Sequence, residues 1–154
     1  MKKLLLLLDT DASPSTFDQV VAYDSNVDNI IAYGGITVEN VTSHVHGMIF
    51  TRGGGNLKNS AIFIGGSNVS ASDLVGEAVK KSFFGPMSVS VMLDPNGSNT
   101  TAAAIVRKVM TNYDVNGKKV VIIGSGPVGQ RAALFFLKEG AGEVVITSRD
   151  ITRS

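Results

Sequence analysis

The stretch Val120-Val121-Ile122-Ile123-Gly124-Ser125-Gly126-Pro127-Val128-Gly129 decides the reading of this chain, because an apolar strand-like run closes on a G-x-G-x-x-G and opens a helical segment. Glycines at that spacing give a tight strand-to-helix turn, a bare backbone that a pyrophosphate can approach, and close packing of helix on strand. The helix N-terminus adds N–H groups and the positive end of a dipole for the phosphates. The context is right as well: Ala132-Ala133-Leu134-Phe135-Phe136-Leu137 continues the helix and Val144-Val145-Ile146-Thr147 supplies a second strand. Gly124, Ser125, Gly126, Pro127, Val128 and Gly129 are therefore expected to bind a dinucleotide. A plain strand-turn-helix is the alternative.

The second strand bears on which dinucleotide. An NAD site carries an Asp or Glu about 20 residues beyond the motif for the ribose 2′-OH, and an NADP site puts an Arg there for the 2′-phosphate. Here the strand runs into Thr147-Ser148-Arg149, with Asp150 only afterwards. A hydroxyl beside a guanidinium suits a phosphate monoester, so Ser148 and Arg149 favour NADP. The competing reading makes Arg149 a solvated loop charge.

From Lys118 to Ser154 the chain holds one strand, one helix and one further strand, whereas a complete dinucleotide fold uses two βαβαβ halves. The expectation is an incomplete nucleotide domain, with weak cofactor binding and no appreciable dehydrogenase activity for this chain alone. Composition reads as an α/β protein: 44% hydrophobic residues and a formal charge of +1 give no basic surplus for nucleic acid. With no Cys there are no disulfides or thiolate metal sites. Met1-Lys2-Lys3 before Leu4-Leu5-Leu6-Leu7-Leu8 imitates a signal peptide, but the run is shorter than the roughly 7–15 residues required and stops at Asp9. It reads as a buried first strand, and the protein as cytoplasmic and without a membrane partner.

Upstream of the glycine motif the chain repeats a strand-then-helix rhythm, which favours a parallel sheet with crossover helices. Ser13-Pro14 starts a helix with Phe17, Val20 and Val21 on one face, and 29–33 is the next strand. Thr37 caps a helix that buries Val38, Val41 and Val45. Residues 61–64 form a strand, Ser72-Asp73 opens a helix through Val75, Ala78 and Val79, and 88–93 alternates as a half-buried strand. The fold class is thus α/β: a parallel-sheet domain over 1–112, followed by a truncated Rossmann-type segment over 113–154. Between them, Asp94-Pro95-Asn96-Gly97-Ser98-Asn99-Thr100-Thr101 reads as a turn whose Ser98 or Asn99 caps a helix lining an interdomain cleft. Asp94, Asn99, Thr100 and Thr101 are candidate ligand contacts, with capping as the plainer alternative.

Asp9-Thr10-Asp11-Ala12-Ser13-Pro14-Ser15-Thr16-Phe17-Asp18, Tyr23-Asp24, Thr51-Arg52-Gly53-Gly54, Ala61-Ile62-Phe63, Phe83-Phe84-Gly85-Pro86, the 94–101 segment and Gly126-Pro127-Val128-Gly129 carry a resemblance that covers essentially the whole chain in order. Together they resemble the NADP-dependent methylene-tetrahydromethanopterin dehydrogenases of one-carbon metabolism, whose plan is similar to that of the folate methylene dehydrogenases. The resemblance implies oxidation of a methylene bridge on a reduced pterin, with hydride passing to NADP⁺. The substrate is then a tetrahydromethanopterin derivative or, alternatively, a tetrahydrofolate derivative. A truncated pterin-binding or assembly module is a further alternative, because half a nucleotide fold leaves an open sheet edge.

The resemblance assigns Phe17 to stacking on the pterin, against a core role beside Val20 and Val21. It assigns Asn99, Thr100 and Thr101 to orienting the rings, and it suggests that Asp9, Asp11 and Asp94 at strand ends favour a cationic product, against the commoner role of such Asp residues in turns and caps. The catalytic residue is left unknown, since a nitrogen lone pair expels the hydride and positioning carries the chemistry. No metal is expected: His44 and His46 are two apart on a predicted helix and face different ways. Arg52 with its glycine run reads as a turn, or else as a phosphate or subunit contact. A homo-oligomer that covers the open strand after Glu143 is expected.

Overall fold

The computed structural model describes residues 1–149. The chain forms two compact units, Met1–Asn96 and a second beginning at Gly97. In the first, β1 (Leu4–Asp9), β2 (Asn29–Tyr33), β3 (Ser60–Gly65) and β4 (Ser90–Leu93) form one parallel sheet in the order β2-β1-β3-β4. Helices α1 (Thr16–Asp24), α2 (Val41–Arg52) and α3 (Val69–Lys81) make the crossovers, as parallel pairing demands. Leu4 to Leu8 pair with 29–33 on one side and with 60–64 on the other, so the leucine run is an interior strand. An interior parallel strand is covered on both faces, which is why it reads as continuous apolar sequence.

Leu6, Leu8, Ile62 and Ile64 meet Val41, Val45, Met48 and Ile49 of α2 and Val75 and Val79 of α3 in the main core. Leu7 points to the other face and is fully buried. Each such leucine contributes about 1.5–3 kcal/mol of burial.

The helix starts differ from the sequence reading in instructive ways. Ser15, not Ser13, caps α1, its Oγ accepting from the Asp18 N–H at 3.2 Å. Asn40 precedes α2, its Oδ1 taking the Thr37 N–H at 2.9 Å, so Thr37 belongs to the turn and Val38 is exposed. Asn68 caps α3 through the Ala71 N–H, a turn earlier than expected, and Ser72 becomes a fully buried residue donating to the Gly65 carbonyl at 2.8 Å. The Phe17, Val20 and Val21 stripe of α1 is exposed, and only Ala22 of that helix is buried.

In the second unit, α4 (Ser98–Met110) precedes β5 (Lys119–Ile123), α5 (Pro127–Lys138) and β6 (Glu143–Thr147). β5 and β6 pair in parallel, Lys119 opposite Glu143. Ala102 and Val106 of α4 share a core with Ala132 and Phe136 of α5 and with Val115 and Ala141. This packing draws α4 into the second unit, so the compact units divide at Asn96/Gly97 where the sequence reading divides the chain at 112/113. Gly97, with φ 61°, stands at the α4 N-cap, and Asn96 takes φ 53°. Two successive left-handed residues make the turn, and Ser98 and Asn99 fall inside the helix instead of capping it.

Close backbone approach fixes the loops at the carboxyl ends of the first sheet. A Cβ on Gly34 would lie 2.4 Å from the Ala12 carbonyl oxygen, while one on Gly47 in the middle of α2 would meet nothing within 4 Å. Gly34→Ala is therefore expected to lower stability by about 1–3 kcal/mol through overpacking. Gly47→Ala should raise it by up to about 1 kcal/mol through helix propensity. Urea titration of both variants checks the contrast.

Candidate functional site

The strand order reverses between β1 and β3, because β1 leads to β2 on one side and β3 to β4 on the other. In open α/β sheets, ligands bind outside the carboxyl ends of the strands at such a switch point. The residues there are Asp9 to Ser15 after β1 and Gly65 to Asn68 after β3. Asp9 is buried and accepts from the backbone N–H groups of Asp11 and Ser15, each at 2.9 Å. Asp11 accepts from the Ser67 N–H at 3.0 Å and from the Ser67 hydroxyl at 2.8 Å. Its own carbonyl accepts from Gly35 N–H at 2.7 Å. The loops after β1, β2 and β3 are thereby joined in one rim, and the two carboxylates organise it.

Asp18, in the first turn of α1, brings a third carboxylate to this edge. A Cβ on Gly65 would lie 3.2 Å from Asp18 Oδ2 and 3.5 Å from Asp9 Oδ2, so both carboxylates flank that glycine. Burial pushes the Asp18 carboxyl above its ordinary range; the hydrogen bond with Ser15 opposes this, and the charges of Asp9 and Asp94 reinforce it. Asp94 is buried just after β4, its N–H donating to the Ile64 carbonyl at 3.0 Å. Phe17, adjacent to Asp18, is 75% exposed, so a core role for its ring is excluded and an accessible aromatic face stands at the helix start.

In the second unit the glycine motif sits where its spacing predicts. Gly124 follows β5 with φ 122°, a conformation glycine tolerates, and its N–H donates to the Thr147 carbonyl at 3.0 Å. Gly126 stands at the N-cap of α5, with Pro127 at the first helical position. A Cβ on Gly129 would lie 2.2 Å from the Gly124 carbonyl oxygen, so only glycine permits this contact of helix and loop. Cβ atoms on Gly124 or Gly126 would meet nothing within 4 Å, which leaves an open backbone surface. A cavity of about 480 Å³ is bounded by Gly124, Ser125, Gly126, Thr147, Ser148 and Arg149. The glycine loop and the predicted ribose-end residues therefore share one cavity; Asp150 lies outside the described residues.

Asn99, Thr100 and Thr101 occupy the first turn of α4, with Asn99 half-buried and the two threonines exposed. Thr100 Oγ1 lies 3.5 Å from the Gly97 carbonyl oxygen. Arg52 is the last residue of α2, where the sequence reading had a turn, and its guanidinium donates to the carbonyls of Lys2 at 2.6 Å and Asn59 at 3.2 Å and to Ser60 Oγ at 3.1 Å. His44 packs on Tyr33, and His46 contacts Phe50, Phe84 and the Ser82 carbonyl.

Residues 16–96 match the family described as methylene-tetrahydromethanopterin dehydrogenase, N-terminal. The chain belongs to this methylene-tetrahydromethanopterin dehydrogenase family. It is 52% identical over 156 aligned residues to the bifunctional protein MdtA of Methylorubrum extorquens, covering 99% of this chain and 54% of that protein. It is 37% identical over 140 residues to an NAD(P)-dependent methylenetetrahydromethanopterin dehydrogenase of the same organism, covering 86% of this chain and 47% of the relative. The chain thus spans about half the length of the curated relatives it matches.

Within this family member, sequence reasoning missed Asp18 as part of the acidic edge, although the Ser15-x-x-Asp18 spacing of a capping box was present. Because its folded-state pKa is raised, ionising Asp18 costs the fold stability that is retained while the group stays protonated. Asp18→Asn carries no such charge. The stability of this variant relative to the parent is expected to rise as pH increases from the ordinary aspartate range through the raised value. Urea unfolding at a series of pH values measures this, and a pH-independent difference contradicts it.

Proposed function

We propose that this chain provides the pterin-binding unit and the beginning of the NADP-binding unit of a methylene-tetrahydromethanopterin dehydrogenase. The observation that carries the cofactor half is a cavity bounded by both the glycine loop and Ser148-Arg149. The bare surface over Gly124 and Gly126 fits a pyrophosphate, and the amino-terminal end of α5 favours its charge. Ser148 and Arg149 hold the 2′-phosphate, which sets NADP above NAD. When bound there, NADP⁺ supplies the hydride acceptor.

On the substrate side, the exposed ring of Phe17 stacks on the pterin, and the acidic edge of Asp9, Asp18 and Asp94 favours the cationic methenyl product. Asn99, Thr100 and Thr101 contribute amide and hydroxyl groups that orient the rings. No general base is required of the protein, because the nitrogen lone pair of the substrate expels the hydride; the side chains position and stabilise.

The protein is cytoplasmic in this reading. No helix among the described residues is long and apolar enough to cross a membrane. Self-association is part of the same proposal: a second copy would cover the open strand β6, which begins at Glu143 in the two-stranded sheet.

Three measurements test this reading. This chain is expected to bind methylene-tetrahydromethanopterin in preference to the tetrahydrofolate analogue and to show no appreciable NADP⁺ reduction by itself; the reverse binding preference overturns the substrate assignment. Arg149→Ala should weaken NADP⁺ binding while sparing NAD⁺; equal losses contradict the 2′-phosphate role. Phe17→Ala should raise the Kd for the pterin with stability within about 0.5 kcal/mol of the parent, as for an exposed side chain. Unchanged pterin affinity in that variant would remove the stacking role.

A further inference from the structure

We infer that Gln130 is a positioning residue of the dinucleotide loop, its side-chain amide holding the Ser125 carbonyl against α5 and so turning the Gly126 N–H outward to the phosphates. The inference rests on the dinucleotide reading of the Gly124–Gly129 motif and adds to it a residue outside the motif. Gln130 Nε2 donates to the Ser125 carbonyl at 2.9 Å, and the Gln130 backbone N–H donates to the Gly126 carbonyl at 3.0 Å. One residue of α5 therefore grips two successive carbonyls of the loop. The preceding carbonyl, that of Gly124, is directed at α5 as well, since a Cβ on Gly129 would fall 2.2 Å from it.

Among the described residues there are no cis peptide bonds, and in a trans peptide the C=O and N–H point in opposite directions. With the carbonyls of Gly124 and Ser125 turned to the helix, the N–H groups of Ser125 and Gly126 face away from it. Successive N–H groups aimed the same way form an anion-binding concavity. Two different devices hold the two carbonyls. The absence of a side chain at Gly129 admits the first, and the Gln130 amide bonds the second. Gly126 itself, at φ −70° and ψ 175°, lies in extended backbone that any residue adopts. The Gln130 amide adds a side-chain hold on the Ser125 carbonyl to this backbone conformation.

The test compares Gln130→Met, which keeps the length and helix propensity but has no donor, with the parent protein. Gln130 is exposed, so the substitution leaves the core intact. The expected result is an about fivefold rise in the Kd for NADP⁺, the worth of one net hydrogen bond, with the Kd for the pterin and the melting temperature unchanged. Unchanged NADP⁺ affinity overturns the inference. A matching rise in both Kd values, or a fall in melting temperature that tracks the loss, also overturns it, because either marks a general structural role. Failure of the parent protein to bind NADP⁺ at all defeats the dinucleotide reading itself, and that result is seen before any variant is compared.

Discussion

Everything in the first unit depends on β1 being buried from both faces and paired along both edges. A strand in that position sheds all its hydration, so it must be apolar without alternation, and Leu6, Leu7 and Leu8 are at most 3% exposed. Its central place also creates the ligand edge. Crossovers leave it in one direction toward β2 and return in the other toward β3 and β4, so helices diverge at its carboxyl end and leave a crevice that loops can line. Asp9 ends this strand inside the crevice, and its two backbone partners show that the first demand on it is local order.

The alternation of strands and helices, the parallel sheet and the position of the glycine motif were legible because each has a strong local signature. Helix starts were less so. Ser13, Ser15, Thr37, Asn40, Asn68 and Ser72 are all competent caps, and the choice among them is made by tertiary contacts: Ser72 is drawn inward to the Gly65 carbonyl, which leaves Asn68 to cap α3. The apolar stripe of α1 misled for a related reason. Periodicity reports that a face is apolar, not that anything in the same unit covers it, and Phe17, Val20 and Val21 are exposed.

The candidate site was legible where its chemistry lies in the backbone and obscure where it lies in side chains brought together by folding. Gly124, Gly126 and Gly129 announce their role by spacing, and the structure gives each a reason to lack a side chain or to leave open surface. Asp18 gave only a capping signal, because its proximity to Asp9 and Asp94 arises when the start of α1 meets the ends of β1 and β4. Gln130 lies one residue past the motif, and nothing in its spacing marks the bond to Ser125.

Arg52 shows how the sheet divides its labour between its two ends. Its guanidinium bonds carbonyls at Lys2 and Asn59 and the hydroxyl of Ser60, all at the amino-terminal ends of β1 and β3, while Asp9, Asp11 and Ser67 lie at the carboxyl ends. The two partner segments are separated by more than fifty residues, so this clasp closes only when β1, α2 and β3 have all assembled. A planar fork of donors meets three acceptors that a single ammonium cannot match in geometry. Sequence change at this lower hem of the sheet would therefore register as altered persistence of the fold, leaving the opposite rim at liberty to change its ligand without unpicking the scaffold beneath.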